Sequence, residues 1–113
     1  FNNMDSCANN CGVPTPTPTP DPRAERCRAA KLKIAGKYEY CRLKEAAKAA
    51  KSGNAPDYAH CDDRFNDSWA AAEANGGGAC PSNDDATAVQ AHIAQHTDGL
   101  DAAIAGGSLP PCP

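Results

Sequence analysis

The sequence predicts an all-α fold: a disulfide-stapled antiparallel helical hairpin plus a third helix, with an extended Pro-rich N-terminal arm and a short C-terminal tail. Three observations lead there. Apolar residues recur at spacings of three and four in three Ala-rich stretches, the period of an amphipathic helix. Residues that start and stop helices bound each stretch: Asp21-Pro22, Ser52-Gly53-Asn54, Pro56-Asp57, Asn75 to Gly78, Pro81 and Gly106-Gly107. Seven cysteines fall in 113 residues, a density typical of small domains held by disulfides.

Residues 1–13 are polar, rich in Asn and without sustained periodicity, and they read as an extended arm carrying Cys7 and Cys11. Residues 14–22, PTPTPTPDP, form a linker in which alternating proline holds the chain near polyproline II, at about 3.1 Å per residue. Thr15, Thr17 and Thr19 on this linker are candidate O-glycosylation sites. The folded domain is expected over 23–107, and the tail 108–113, SLPPCP, leaves Cys112 in a Pro-flanked extended segment.

Within the domain, Asp21 reads as the N-cap and Pro22 as the first position of a long helix, with Glu25 near the positive end of its dipole. The helix runs to Lys51, and Gly53 suits a left-handed cap. Its interior Gly36 costs about 1 kcal/mol relative to Ala, which suggests a close approach by a neighbour. A second helix begins near Pro56 and Asp57, and its stripe of Tyr58, Cys61, Phe65, Trp69 and Ala72 is the expected core. The third follows Pro81 with a capping-box-like start at Ser82 and Asp85, and turns Ala86, Val89, Ile93, His96, Leu100 and Ala103 to one face.

That core is thin. Leu, Ile, Val, Phe, Tyr, Trp and Met supply only 16 side chains, so burial at roughly 1.5 to 3 kcal/mol each leaves little over chain entropy. Helix length then orders the cysteines. Cys27 and Cys41 lie fourteen residues apart, about 21 Å along a helix, and the same count separates Cys61 from Asn75, with Cys80 just beyond. In an antiparallel hairpin Cys41 therefore meets Cys61 and Cys27 meets Cys80. Other pairings must span far more than the roughly 7 Å between Cα atoms that a disulfide tolerates. One tetrahedral zinc cannot collect four sulfurs placed two by two at opposite ends. Each link should contribute about 2 to 4 kcal/mol.

The segments CRAAKLKIAGKYEYCRLKEAAKAAKSG and PDYAHCDDRFNDSWAAAEANGGGAC, followed by an acidic-capped third helix, resemble the Ala- and Lys-rich four-cysteine helical modules of secreted proteins from myxobacteria and related bacteria. The resemblance covers about residues 24–106 and rests on KLKIAGKY, the F-x3-W-x-x-AE run and the Gly-Gly-x-Cys turn in that order. It implies an exported helical module and no particular reaction. The first 23 residues and the Cys112 tail depart from its pattern.

Cys7, Cys11 and Cys112 are left outside the frame. Either they bond to neighbouring chains, or one internal disulfide ties arm to tail and one thiol stays unpaired. The first helix also has two apolar stripes: Cys27, Ala30, Ile34, Tyr38 and Cys41 on one side, and Leu32, Gly36, Tyr40, Leu43 and Ala47 nearly opposite. The second stripe suits an assembly face, unless it is a weakly apolar face open to water.

Candidate chemistry is sparse. His92 and His96 stand four apart on a helix and could present two imidazoles to a metal, although His96 also holds a core position. His60 beside Cys61 suggests a thiol nucleophile, which a disulfided Cys61 cannot supply. Asp62, Asp63 and Asp67 read as a solvated face, and Asn66-Asp67-Ser68 as a glycosylation motif in mid-helix. No phosphate cradle, triad or carboxylate pair stands out, so neither an enzyme nor a cofactor is expected. Lys and Arg concentrate in the first helix, where they read as a solvated basic face, and no stacking aromatics mark a nucleic-acid surface. No apolar run has the length of a membrane span. A start at Phe1 and the cysteine content suit a mature, secreted chain in an oxidising compartment, extracellular or at the cell surface. The expected role is an exported structural subunit that binds copies of itself, in a filament or surface layer. The alternative is a monomeric extracellular module binding a metal through His92 and His96, or a small ligand near Tyr38, Phe65 and Trp69.

Overall fold

The computed structural model describes residues 21–108. The arm with Cys7 and Cys11, the linker threonines Thr15, Thr17 and Thr19, and Cys112 lie outside the described residues. Between Asp21 and Ser108 the chain forms α1 (Pro22–Ser52), α2 (Ala59–Gly76) and α3 (Ala86–Ile104), with no strand among the described residues. This is the all-α, disulfide-linked hairpin with a third helix that the periodicity predicts.

The start of α1 follows from its first residues. The Arg23 backbone N–H donates to Asp21 Oδ1 at 2.9 Å, and Pro22 occupies the first turn, where no N–H is needed. At the other end Gly53 adopts φ 77° and its N–H donates to the Ala49 carbonyl at 2.8 Å, closing the helix in the left-handed region that glycine enters without strain.

α2 starts at Ala59, slightly later than Pro56-Asp57 suggest, because Asp57 uses its carboxylate to accept the Ala59 N–H at 3.0 Å. The two helices are therefore offset. α1 continues about eleven residues past Cys41, roughly 16 Å, while α2 begins two residues before Cys61. Residues 53–58 run back beside the projecting end of α1, and Tyr58 stacks under the Arg42 guanidinium at 3.8 Å.

Disulfides join Cys27 to Cys80 and Cys41 to Cys61, with Cα separations of 5.4 and 5.8 Å. The first packs against Gly76, where an added Cβ would stand 2.3 Å from the Cys80 sulfur. The close approach expected at Gly36 is thus found at Gly76, whereas a Cβ built at Gly36 would meet nothing within 4 Å apart from its chain neighbours and the backbone of its own helix.

Between the links the core is Tyr38, Cys61, Phe65 and Trp69, with Ile34, Cys41, Ala86, Val89 and Ile93 packed against it. The Phe65 ring lies 4.9 Å from both Tyr38 and Trp69. On α3 the buried residue is Thr97, and His96 is exposed, which corrects the core position read from spacing. The stripe steps by four from Ile93 because Thr97 Oγ1 accepts a hydrogen bond from Arg42 Nε at 2.8 Å.

Candidate functional site: a basic groove ending at Cys41 and Cys61

Two buried cations, Lys31 and Arg42, join α1 to its neighbours. Each is only 6% exposed, which corrects the reading of α1's basic residues as a purely solvated face. Lys31 Nζ donates to Glu73 Oε2 at 2.9 Å, the Ser82 carbonyl at 2.8 Å and Asp85 Oδ1 at 3.1 Å, and lies 4.8 Å from the Trp69 ring centre. Trp69 Nε1 donates to Asp85 Oδ1 at 3.0 Å and the Ser82 hydroxyl to Asp85 Oδ2 at 2.7 Å. Asp85 therefore makes no side-chain cap for α3, and the capping box expected from Ser82 and Asp85 is replaced by a knot around Lys31. Burial alone would raise the Asp85 carboxyl. The hydrogen bonds from Ser82, Trp69 and Lys31 and the ammonium charge outweigh it, and the pKa falls to about 2.

Arg42 forms the second knot, with Nη2 donating to Asp98 Oδ1 at 2.8 Å in addition to the Thr97 bond. Nearby the Tyr38 hydroxyl donates to Asp62 Oδ1 at 2.6 Å, and Gln90 donates to the same oxygen at 3.3 Å. Burial and the Asp62 carboxylate raise the Tyr38 phenol above its ordinary value. Asp62 is thus a tertiary contact, whereas Asp63 and Asp67 are exposed. Sequence reasoning missed both cations, although Lys31, Tyr38 and Arg42 fall at helical spacing from Cys27 and so share its inner side.

A groove of about 800 Å³ runs between α1 and α2, with no α3 residue in its lining. Ile34, Tyr38 and Phe65 contribute its apolar side, and Lys33, Lys37, Lys44 and Arg64 its cationic side. Of the three aromatics expected near a ligand, Tyr38 and Phe65 line it, while Trp69 is turned to Lys31 and Asp85.

The groove ends at Cys41, Glu45, His60 and Cys61. His60 Nε2 lies 3.5 Å from Cys41 Sγ, 3.8 Å from Cys61 Sγ and 3.4 Å from Glu45 Oε2. Cys61 is buried, Cys41 is half-buried and His60 is exposed. Both sulfurs are in the disulfide, so no thiol nucleophile stands beside His60.

His92 and His96, the expected imidazole pair, are both exposed, and His96 Nε2 faces Glu39 Oε1 at 3.2 Å. Among the described residues neither belongs to a cluster of three or more ligand atoms within metal-binding reach, whereas Cys41, His60 and Cys61 do. The second stripe of α1 is largely open to solvent: Leu32 is 61% and Tyr40 68% exposed, Gly36 and Ala47 are exposed and Leu43 is half-buried, and Tyr40 also lines the groove. No helix among the described residues is long and apolar enough to cross a membrane, and the two disulfides fit an oxidising environment. Comparison of the chain with protein-family models, with curated proteins and with solved structures finds no match.

Proposed function

We propose that this chain is an exported, non-enzymatic structural subunit that assembles with copies of itself. The observation that carries the reading is the exposed stripe of α1, where the large apolar side chains of Leu32 and Tyr40 stand mostly in water, Tyr40 beside the groove. Charge supports it. Of the eleven Lys and Arg residues, ten lie in α1 against three Glu, while α2 has four acidic residues to one basic and α3 has two acidic and none basic. A contact between the basic, apolar side of α1 in one copy and the acidic α2 or α3 of another is heterologous, and such contacts repeat into filaments or layers. In this proposal Cys7 and Cys11 of the arm and Cys112 of the tail add covalent links between chains, and the threonine-bearing linker carries glycans. The resemblance of residues 24–106 to exported modules belongs to the same reading.

Light scattering of the full chain tests it. Wild type should form species larger than a monomer at low salt, dissociate as ionic strength rises, and assemble at least tenfold more weakly as Tyr40→Asp. A monodisperse monomer at low salt without reductant would exclude the reading. A second reading, a binding module for an anionic small ligand, is favoured by the four cationic residues that line the groove. It predicts that Lys37→Glu abolishes binding of acidic aromatic probes while leaving the mass of the particle unchanged.

A further inference from the structure

We propose that the groove end is a redox-gated zinc site: when the Cys41–Cys61 disulfide is reduced, the two thiolates, His60 Nε2 and Glu45 Oε2 bind one Zn²⁺. In tetrahedral zinc sites the bonds are about 2.3 Å to sulfur, 2.0 to 2.1 Å to nitrogen and 2.0 to 2.2 Å to carboxylate oxygen. Those bonds put ligand atoms about 3.5 Å apart for sulfur to nitrogen, about 3.4 Å for nitrogen to oxygen and about 3.8 Å for sulfur to sulfur. His60 Nε2 already stands 3.5 and 3.8 Å from the two sulfurs and 3.4 Å from Glu45 Oε2. The three edges that meet at the imidazole therefore have the right length, and the disulfide bond occupies the edge between the sulfurs. The ligand atoms of Cys41, His60 and Cys61 lie within 4.8 Å of one another, and the Glu45 carboxylate, outside that set, has to turn towards the sulfurs to complete the site.

The backbone is suited to that opening. The Cα atoms of Cys41 and Cys61 are 5.8 Å apart on two helices that the core and the second disulfide hold together. Cys41 is half-buried and lines the groove, so its side chain can swing while both helices stay in place. Glu45 is oriented from its other oxygen by Lys48 Nζ at 3.6 Å. The opposite end has no such set: Cys27 and Cys80 are both buried against Gly76, and neither belongs to a cluster of potential metal ligands among the described residues. The proposal does not depend on self-assembly.

The chemistry balances with a dithiol as reductant. Its two thiols deliver two electrons and two protons, the Cys41–Cys61 bond breaks to two thiols, and the reductant closes to its own disulfide. Zn²⁺ then displaces one proton from each thiol, and His60 coordinates as the neutral imidazole. The helix corner is closed by sulfur in the oxidised protein and by metal in the reduced one.

Titration of the full chain with Co²⁺, a spectroscopic stand-in for Zn²⁺, tests this in anaerobic phosphine-reduced and in oxidised protein. The reduced chain should take up one equivalent with the intense visible bands of tetrahedral Co²⁺ and a thiolate charge-transfer band. The oxidised chain should show neither. His60→Ala, a change at an exposed position, should weaken binding at least tenfold and shift the visible bands, and Glu45→Gln should weaken it less. Equal affinity and spectra in wild type and His60→Ala would place the metal on other sulfurs and overturn the proposal, as would no binding to the reduced chain. If reduction of both disulfides unfolds the protein, Zn²⁺ should restore helical circular dichroism in wild type and not in His60→Ala. Restoration in both, or in neither, overturns the proposal.

Discussion

Asp85 shows how one side chain can serve three partners and set an acid limit on stability. It accepts hydrogen bonds from Lys31, Trp69 and Ser82, and its carboxyl sits near 2 instead of the ordinary 3.8. A depressed folded pKa means that the folded protein holds its proton less tightly than the unfolded chain. The resulting stabilisation is complete above about pH 4 and is lost as pH falls towards 2. With 27% of the side chain in water, its size is on the order of 1 to 2 kcal/mol after allowance for screening. Urea denaturation across this range should show that loss in wild type. Asp85→Asn should be weaker at neutral pH by a similar amount and should have a flatter acid limb. An unchanged acid limb in the variant would mean that another carboxylate controls it. Lys31 explains why the knot escapes a reading by residue type: a lysine on a basic helix reads as solvated until two other segments bring carboxylates to it.

At the scale of elements, α1 and α2 are joined by two disulfides and the tilted ring contact of Tyr38 with Phe65, whereas α3 has no covalent link among the described residues. Small apolar contacts from Ala86, Val89 and Ile93 hold it, together with polar ties at Asp85, Gln90, Thr97 and Asp98. Local opening should therefore release α3 before the hairpin. Arg42→Leu removes the bonds to Thr97 and Asp98 and the stacking over Tyr58. It should destabilise by about 1 to 3 kcal/mol, the cost of losing charge-assisted hydrogen bonds. In native-state hydrogen exchange, α3 amides of the variant should exchange roughly ten- to a hundredfold faster while α1 and α2 keep their protection, since about 1.4 kcal/mol corresponds to tenfold. Equal acceleration in all three helices would show that the domain opens as one unit.

For the whole molecule, covalent links supplement an interior in which Phe65 and Cys61 are the largest fully buried side chains. The two links close sequence separations of 53 and 20 residues. Loop-closure entropy assigns about 4 kcal/mol to the longer and about 3 kcal/mol to the shorter. Replacing Cys27 and Cys80 together by Ala should cost more stability than replacing Cys41 and Cys61, as denaturation midpoints would show. The reverse order would mean that packing around each sulfur outweighs chain entropy.

The fold class, the three helices and the antiparallel hairpin were legible in the sequence, because helical periodicity, capping residues and the axial spacing of cysteines are properties of the chain taken locally. The candidate site was legible only in pieces: Cys41, Cys61 and His60 are visible as residues, but Glu45 joins them only when α1 lies beside α2. His96 was placed one residue out of phase because spacings of three and four leave the choice between positions 96 and 97 open, and a guanidinium on another helix settles it. Local order needs only neighbours along the chain. The burial of Lys31 and Arg42, the start of α3 and the cluster of Cys41, His60 and Cys61 at the groove end depend on partners up to 56 residues away, and only the packed helices bring those together.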